Sequence, residues 1–151
     1  MERPFVAHND AERVRLRALI ERISDEDLMR PMPAGWTIAG ILAHLAFWDA
    51  RVLYFTDKWA NGTDPAETVW GIEDVDSIND PAKQLCLGMP PRAAAQLALE
   101  MAEAADQRVA SLSDDLLEKA TAGLPFSLSR ANHRREHLDE IAHAHPDLNW
   151  S

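Results

Sequence analysis

Basic residues are scarce in this chain. Its 151 residues include 25 acidic side chains but only 15 lysines and arginines, which gives a formal net charge of −10. A nucleic-acid-binding surface needs a dense basic patch, and the one short basic stretch, NHRREH at 132–137, is interrupted by Glu136. The same deficit argues against an anionic membrane surface. We therefore expect neither nucleic acid nor a membrane as a partner.

Cysteine and long apolar runs are also lacking. Cys86 is the single cysteine, so no disulfide can form within the chain, which is typical of a reducing compartment. No stretch approaches 18 consecutive apolar residues, and the first ten residues lack the apolar run of a secretory signal. We expect a cytoplasmic protein that folds as a single domain over 1–151, because 46% apolar residues suffice for one core.

Strand-like alternation is almost absent, whereas apolar residues recur at helical spacing over long segments. This spacing predicts four long helices, near 8–23, 37–60, 91–111 and 128–144. Each has one apolar face that must be buried against another element. Four long amphipathic helices in a chain of this length indicate an all-α fold, specifically a four-helix bundle.

The helix ends and the segments between the helices follow local signals. Asn9 or Asp10 is the expected N-cap of the first helix, and Thr37 is the expected N-cap of the second. Residues 63–90 are acidic and show no sustained helical period, so we expect them to be irregular. Within them, a short helix is expected to begin at Asp80-Pro81, because proline is tolerated at the first helical position.

A faint internal repeat links the two halves of the chain. ISDEDL at 23–28 resembles LSDDLL at 112–117, and a histidine follows each string at the same distance, His44 in one case and His133 in the other. Two interpretations stay open. Either the chain arose from a duplicated helix pair, which would place these histidines at matching depths of related helices, or both strings are ordinary helix N-caps, which look alike.

Three histidines fall on apolar helix faces. His133 and His137 are four residues apart, so on a helix their Cβ atoms lie about 5–6 Å apart on one face. That face continues through Ile141 and Ala144 into the apolar stripe, and His44 lies on the apolar face of the second predicted helix. Imidazole nitrogens bind zinc, nickel, iron and copper, so the three histidines predict a divalent metal site.

Competing interpretations of the histidines stay open. A lone inward-facing histidine is more often a hydrogen-bonded core residue than a ligand. Glu140-x-x-His143 matches one element of di-iron bundles, but no second such element occurs in the chain. His143 and His145 are expected to be solvated in the last helical turn, and His8 is expected to be exposed. Three imidazole ligands would leave one coordination position open, the pattern of a catalytic site.

Other side chains are candidates for the surroundings of this site. Glu136 and Glu140 can hydrogen-bond the ligating imidazoles, although solvated positions are equally compatible with their spacing. Cys86 is expected to be a small buried side chain rather than a nucleophile, because no histidine lies near it in sequence. Four tryptophans can line an apolar pocket or fill the core: Trp36, Trp48, Trp59 and Trp70.

Two segments resemble the hallmarks of a known family. GWTIAGILAHLAFWDARVL at 35–53 and NHRREHLDEI at 132–141 resemble the histidine-bearing segments of the DinB-like, or YfiT-like, helical-bundle superfamily. The resemblance covers most of the chain and implies a four-helix bundle, often a homodimer, with a divalent metal ion on three histidines. His44 matches the ligand on the second helix, and His133 and His137 match the pair on the fourth. Zinc, nickel and iron are not distinguished.

The resemblance also implies a set of activities. Family members carry out thiol-dependent transfer or isomerisation with low-molecular-weight thiols, or metal-dependent hydrolysis, and many have no known activity. We therefore expect a metal-dependent enzyme that activates a thiol or water for S-transfer to, or hydrolysis of, a small-molecule substrate. The alternative is a non-catalytic bundle that holds a metal or a small ligand for sensing or sequestration. A thiol with carboxylates would need cations at the pocket rim. Arg51, Arg134 and Arg135 are the candidates, and simple solvation of these arginines is the alternative.

Overall fold

The computed structural model describes residues 2–67, 74–122 and 128–148. The α-helices within these ranges are α1 (Pro4–Arg22), α2 (Asp25–Leu28), α3 (Ile38–Ala60), α4 (Asp76–Gly88), α5 (Pro91–Ser111), α6 (Asp114–Thr121) and α7 (Ala131–Ala144). Short 3₁₀ turns occur at Pro33–Gly35, Pro65–Glu67 and Pro146–Leu148. The predicted all-α bundle is confirmed, and α1, α3, α5 and α7 are its four long helices.

The start of α1 differs from the prediction. The helix begins at Pro4, four residues before the predicted start, and proline fits there because the first helical N–H needs no partner. Asn9 therefore lies inside α1, where it is only 1% exposed. Its side-chain oxygen accepts a hydrogen bond of 2.9 Å from the N–H of Ala131, and its amide donates to the carbonyl of Leu128 at 3.1 Å. The expected cap of α1 is in fact a cap of α7.

Helix α3 is the central helix and begins as predicted. The hydroxyl of its N-cap, Thr37, accepts a hydrogen bond of 3.0 Å from the N–H of Gly40. A Cβ at Gly40 would lie 2.8 Å from a methyl group of Leu87, so glycine permits the close approach of α4. By length and mean hydropathy α3 is the one described helix that is apolar enough to cross a membrane, but 56% of that stretch is buried within the protein. Burial of this kind is typical of a core helix.

The prediction of irregular structure for residues 63–90 is wrong over 76–88. Helix α4 occupies that range, and Pro81 lies inside it rather than at its start. Proline removes one intrahelical hydrogen bond, so the local signal argues for a helix start. Packing of α4 against α3 overrides this signal and buries Cys86, as expected for that side chain.

Small side chains let α5 pack tightly within the chain. Its inward face carries five alanines that are fully buried: Ala94, Ala95, Ala98, Ala102 and Ala105. α5 packs against α3 and α1, while α7 packs against α1 and α3. The alanine-rich face is therefore buried within the chain.

Both halves of the sequence repeat are helix N-caps. Ser24 accepts a hydrogen bond of 3.0 Å from the N–H of Asp27 at the start of α2, and Ser113 accepts one of 3.2 Å from the N–H of Leu116 at the start of α6. Each capped short helix precedes a histidine-bearing helix, α3 or α7. Cap chemistry accounts for the matching strings, and the duplication stays a prediction.

Candidate metal centre

The structure brings His44, His133 and His137 together between α3 and α7. The Nε2 atom of His133 lies 3.1 Å from Nε2 of His44 and 3.2 Å from Nε2 of His137. One ligand atom from each ring lies within 4.8 Å of the others. Tetrahedral ligation at about 2.0–2.1 Å separates donor nitrogens by about 3.3 Å, so these distances suit a shared ion.

The number of protons available to the ring nitrogens of the three histidines also fits a bound cation. Nδ1 of His137 lies 3.0 Å from the carboxylate of Glu140, which only accepts, so Nδ1 carries a proton and the neutral form of this ring presents a lone pair at Nε2. His133 faces two ring nitrogens through its single Nε2 atom. One hydrogen there cannot fully satisfy both contacts, whereas a cation accepts lone pairs from all three rings. The donor set therefore fits a divalent metal ion.

Burial keeps two of these imidazoles neutral. His44 is 9% exposed. Removal from water, together with the neighbouring His137, lowers the pKa of His44 to about 4 and that of His133 to about 2. Metal binding requires neutral imidazole, so the fold provides these ligands in the competent form at neutral pH.

Two tryptophan rings pack beside the histidines. Trp36 and Trp48 lie edge-on to His44, with ring centroids 5.7 and 6.4 Å away. The indole N–H of Trp48 donates to the side-chain oxygen of Asn79 at 2.9 Å, which ties α3 to α4 beside the cluster. Of the other two candidate tryptophans, Trp59 packs in a separate core cluster, and Trp70 lies outside the described residues.

An open cavity of about 740 Å³ leads to the three rings. This volume is in the range of small-molecule sites. Three helices supply most of its walls: Ile41 and His44 come from α3, Asn79 and Lys83 come from α4, and the remaining histidines come from α7. The loop before α3 closes one side with Trp36. The site is thus reachable by a small molecule.

The carboxylates expected near the histidines take different positions. Glu140 contacts His137, as one of the two interpretations predicted. Glu136 lines the cavity, but its side chain is exposed. His8 and His143 are exposed, as expected. His145 is half-buried and its Nε2 donates to the carbonyl of Pro31 at 2.9 Å, so the expectation of a solvated side chain there is wrong.

The expected cationic rim is wrong for all three arginines. Arg134 is 1% exposed and lies in a buried ion-pair cluster away from the cavity, because its position on α7 faces α1 and α5. The side chain of Arg135 bonds to Glu12 of α1. Arg51 lies over the rings of Trp48 and Phe55, at 5.2 and 5.0 Å from their centroids. None of the three lines the cavity.

Sequence reasoning missed the buried ion-pair cluster entirely. Its members are Asp49, Asp106, Arg130 and Arg134. Arg134 donates two hydrogen bonds of 2.8 Å to Asp106 and one of 3.2 Å to Asp49, and Arg130 donates one of 2.8 Å to Asp49. A signal was present, because Asp49 and Asp106 interrupt otherwise apolar stripes of α3 and α5.

Comparison with known proteins identifies the family. The family model of the DinB superfamily matches residues 8–146. No curated protein and no solved structure was found to match the chain. The matched range includes both histidine-bearing helices and nearly all of the bundle. The chain therefore belongs to the DinB superfamily.

Proposed function

We propose that this protein binds a divalent metal ion through the Nε2 atoms of His44, His133 and His137 and is a metal-dependent enzyme acting on a small molecule. The observation that carries the proposal is the convergence of three ring nitrogens, with contacts of 3.1 and 3.2 Å, at the wall of an open cavity. Three protein ligands and an accessible face are the pattern of a catalytic rather than a structural metal site.

The chain's own residues prepare this site for catalysis. Glu140 holds His137 in the tautomer that presents Nε2 to the proposed metal ion. The same hydrogen bond makes that ring a more basic metal ligand. Burial keeps His44 and His133 neutral, and Trp36 and Trp48 contact the ring of His44 edge-on. When bound, the ion would supply Lewis-acid chemistry, lowering the pKa of a coordinated water or thiol towards neutrality.

Water is the better supported nucleophile. A thiol cofactor with carboxylates would need cations in the cavity, and the three arginines considered for that role lie elsewhere. Among the cavity residues described, Lys83 is the one cation, and its ammonium group already contacts the carbonyl of Ala34. We therefore propose hydrolysis of a small molecule ahead of thiol-dependent S-transfer, with a non-catalytic metal-binding bundle as the rival.

The assembly and location are proposals from the resemblance and the composition. We propose a homodimer located in the cytoplasm. Light scattering at micromolar concentration tests the dimer, because a monomer has a mass of 16.9 kDa. A monomer mass would remove the dimer from the proposal without affecting the metal site, since all three histidines lie in one chain.

Metal content tests the central proposal. Untagged protein should contain one divalent ion per chain by elemental analysis. Cobalt-substituted protein should change its visible spectrum when azide is added, because an open position exchanges ligands, and an unchanged spectrum would favour the non-catalytic rival. His44→Ala should lose most of the metal affinity, whereas His143→Ala, which changes an exposed histidine of the same chain, should keep it. A His44→Ala protein that binds one ion as tightly as the parent would contradict the shared site.

A further inference from the structure

The charges around the cavity are almost all negative. Helix α4 contributes Asp76 and Asp80, and helix α7 contributes Glu136 and Glu140. Each pair has the four-residue spacing that places both side chains on one helix face. Carboxylates therefore approach the same cavity from two separate helices, one pair on either wall, beside the histidines.

These carboxylates have little counter-charge. Lys83 is the single lysine or arginine among the described cavity residues. Within the described parts of the chain, Asp76, Asp80 and Glu136 form no ion pair, and Glu140 contacts only His137. The acidic groups elsewhere behave differently, because most arginines of the protein lie against carboxylates outside the cavity. Four carboxylates and one lysine give the cavity a formal charge of −3, which a divalent ion on the histidines would reduce to −1, so the remaining field favours cationic molecules over anions.

The aromatic wall already holds one ammonium group. The Nζ atom of Lys83 lies 5.3 Å from the ring centroid of Trp36, and it donates to the carbonyl of Ala34. That carbonyl belongs to a turn in which Ala34 and Gly35 have φ angles of 60° and 79°. An indole face beside a carbonyl and carboxylates is the chemistry that binds organic ammonium ions. Lys83 fills this position with an ammonium group of the chain itself, and a substrate cation would bind there in its place.

We propose that the substrate of this site is a small organic cation, such as an amine or quaternary ammonium compound. The inference rests on the proposed function, since it assigns a substrate class to the same cavity. The carboxylates of α4 and α7 attract the positive charge, Trp36 contacts the carbon atoms next to it, and the three histidines lie within reach in the same cavity. An anionic substrate would meet repulsion from both walls.

Three probes that share a phenyl ring test the substrate class on zinc-loaded protein. Benzyltrimethylammonium is the cation, benzyl alcohol the neutral analogue and phenylmethanesulfonate the anion. None is a strong zinc ligand, so differences report the pocket rather than coordination. Tryptophan fluorescence should show that the cation binds at least tenfold more tightly than the alcohol, and that the sulfonate binds most weakly. Equal affinities, or tighter binding of the sulfonate, would overturn the inference.

Two double variants test which carboxylates cause the preference for the cation. The double variant Asp76→Asn and Asp80→Asn should lose most of the preference for the cation while keeping one zinc per chain. The matched control, Glu21→Gln with Glu100→Gln, removes two exposed carboxylates outside the cavity and should keep the preference. A double α4 variant with the parent's preference would also contradict the inference.

Zinc content, measured on the same samples, separates the two proposals. One zinc per chain without a cation preference overturns the substrate class and leaves the metal site in place. A cation preference in protein that binds no zinc upholds the selectivity of the cavity and removes the metal-dependent function.

Discussion

His133 and Arg134 are adjacent in α7 but lie in two very different polar regions. His133 belongs to the histidine cluster, which consists of His44, His133 and His137 and lines an open cavity. Arg134 belongs to the charge cluster, which consists of Asp49, Asp106, Arg130 and Arg134 and is buried between the helices. One step along a helix thus separates a site open to ligands from one that is sealed.

The two clusters satisfy their polar atoms in different ways. In the charge cluster, acids and bases bond to one another, and Nε of Arg134 is the one buried side-chain nitrogen there without a partner. Burial alone would lower the pKa of Arg134, but its hydrogen bonds to Asp106 and the charge of Asp49 raise it above its ordinary value. In the histidine cluster, neutral nitrogens face one another with too few protons. Mutual satisfaction indicates a structural role, whereas converging lone pairs indicate a place for a ligand.

Breaking the charge cluster should have the largest effect. Arg134→Met should reduce the free energy of unfolding by about 3–5 kcal/mol, because it removes the one buried cation that Asp49 and Asp106 share and leaves each carboxylate with a single arginine. Urea unfolding followed by circular dichroism measures the loss. Arg135→Met is the matched control, since the side chain of Arg135 is 49% exposed and its ion pair should contribute less than about 1 kcal/mol. Equal losses of unfolding free energy in the two variants would contradict the difference between the buried charge cluster and an exposed ion pair.

Acid should weaken the histidine cluster in metal-free protein. The folded pKa values of His44 and His133, about 4 and about 2, lie below the unfolded value of 6.5. The stabilisation from these neutral rings is thus complete above pH 6.5 and is lost as pH falls through that value towards 4. Each ring can cost up to about 1.4 kcal/mol per pH unit in this window.

Urea unfolding of chelator-treated protein between pH 7.5 and 5 measures this loss. The double variant His44→Ala and His133→Ala should show a flatter profile, because it lacks the two groups that gain protons on unfolding. A parent profile as flat as that of the double variant would contradict the burial argument.

Removing the partner of His137 should have an intermediate effect. Glu140→Gln should lower zinc affinity by about 10–100-fold, or about 1.4–2.7 kcal/mol, because the amide no longer fixes the ring as a proton donor at Nδ1. Competition with a fluorescent chelator measures the affinity. Glu136→Gln is the matched control, since it removes a cavity carboxylate one turn earlier on the same helix face. A similar drop in zinc affinity in both variants would show that the loss of negative charge, and not of the contact with His137, causes the effect.

The smallest expected effect concerns the hydrogen bond between Trp48 and Asn79, which lies beside the histidine cluster. Asn79→Ala should cost about 0.5–1.5 kcal/mol of unfolding free energy, because the indole N–H of Trp48 loses its acceptor on α4. The same change in a Trp48→Phe background should cost much less, because the donor is already gone. Thermal unfolding of the four proteins gives the coupling energy. Additive losses would mean that this hydrogen bond does not tie α4 to α3.

Sequence patterns predicted the four long helices well because each is set by its own periodicity. The bounds of α5 agree with the predicted 91–111, and α3 starts one residue after its predicted N-cap. Local sequence signals gave the wrong prediction where a residue's packing or hydrogen-bond partner is distant in the sequence. Pro81 argued for a helix start, yet packing on α3 keeps it inside α4. Asn9 was expected to cap α1, yet its side-chain oxygen accepts a hydrogen bond from the N–H of Ala131 at the start of α7.

The sequence by itself determined which residues share a helix face, because the 3.6-residue period is a property of each helix alone. It therefore placed His133 and His137 on one face and His44 on an apolar face. Tertiary structure alone decided which faces meet. The rotation and packing of separate helices put Arg134 against Asp49 and Asp106 and lined the cavity with carboxylates of α4 and α7. Charges that look solvated in a sequence acquire their partners only when distant helices pack together.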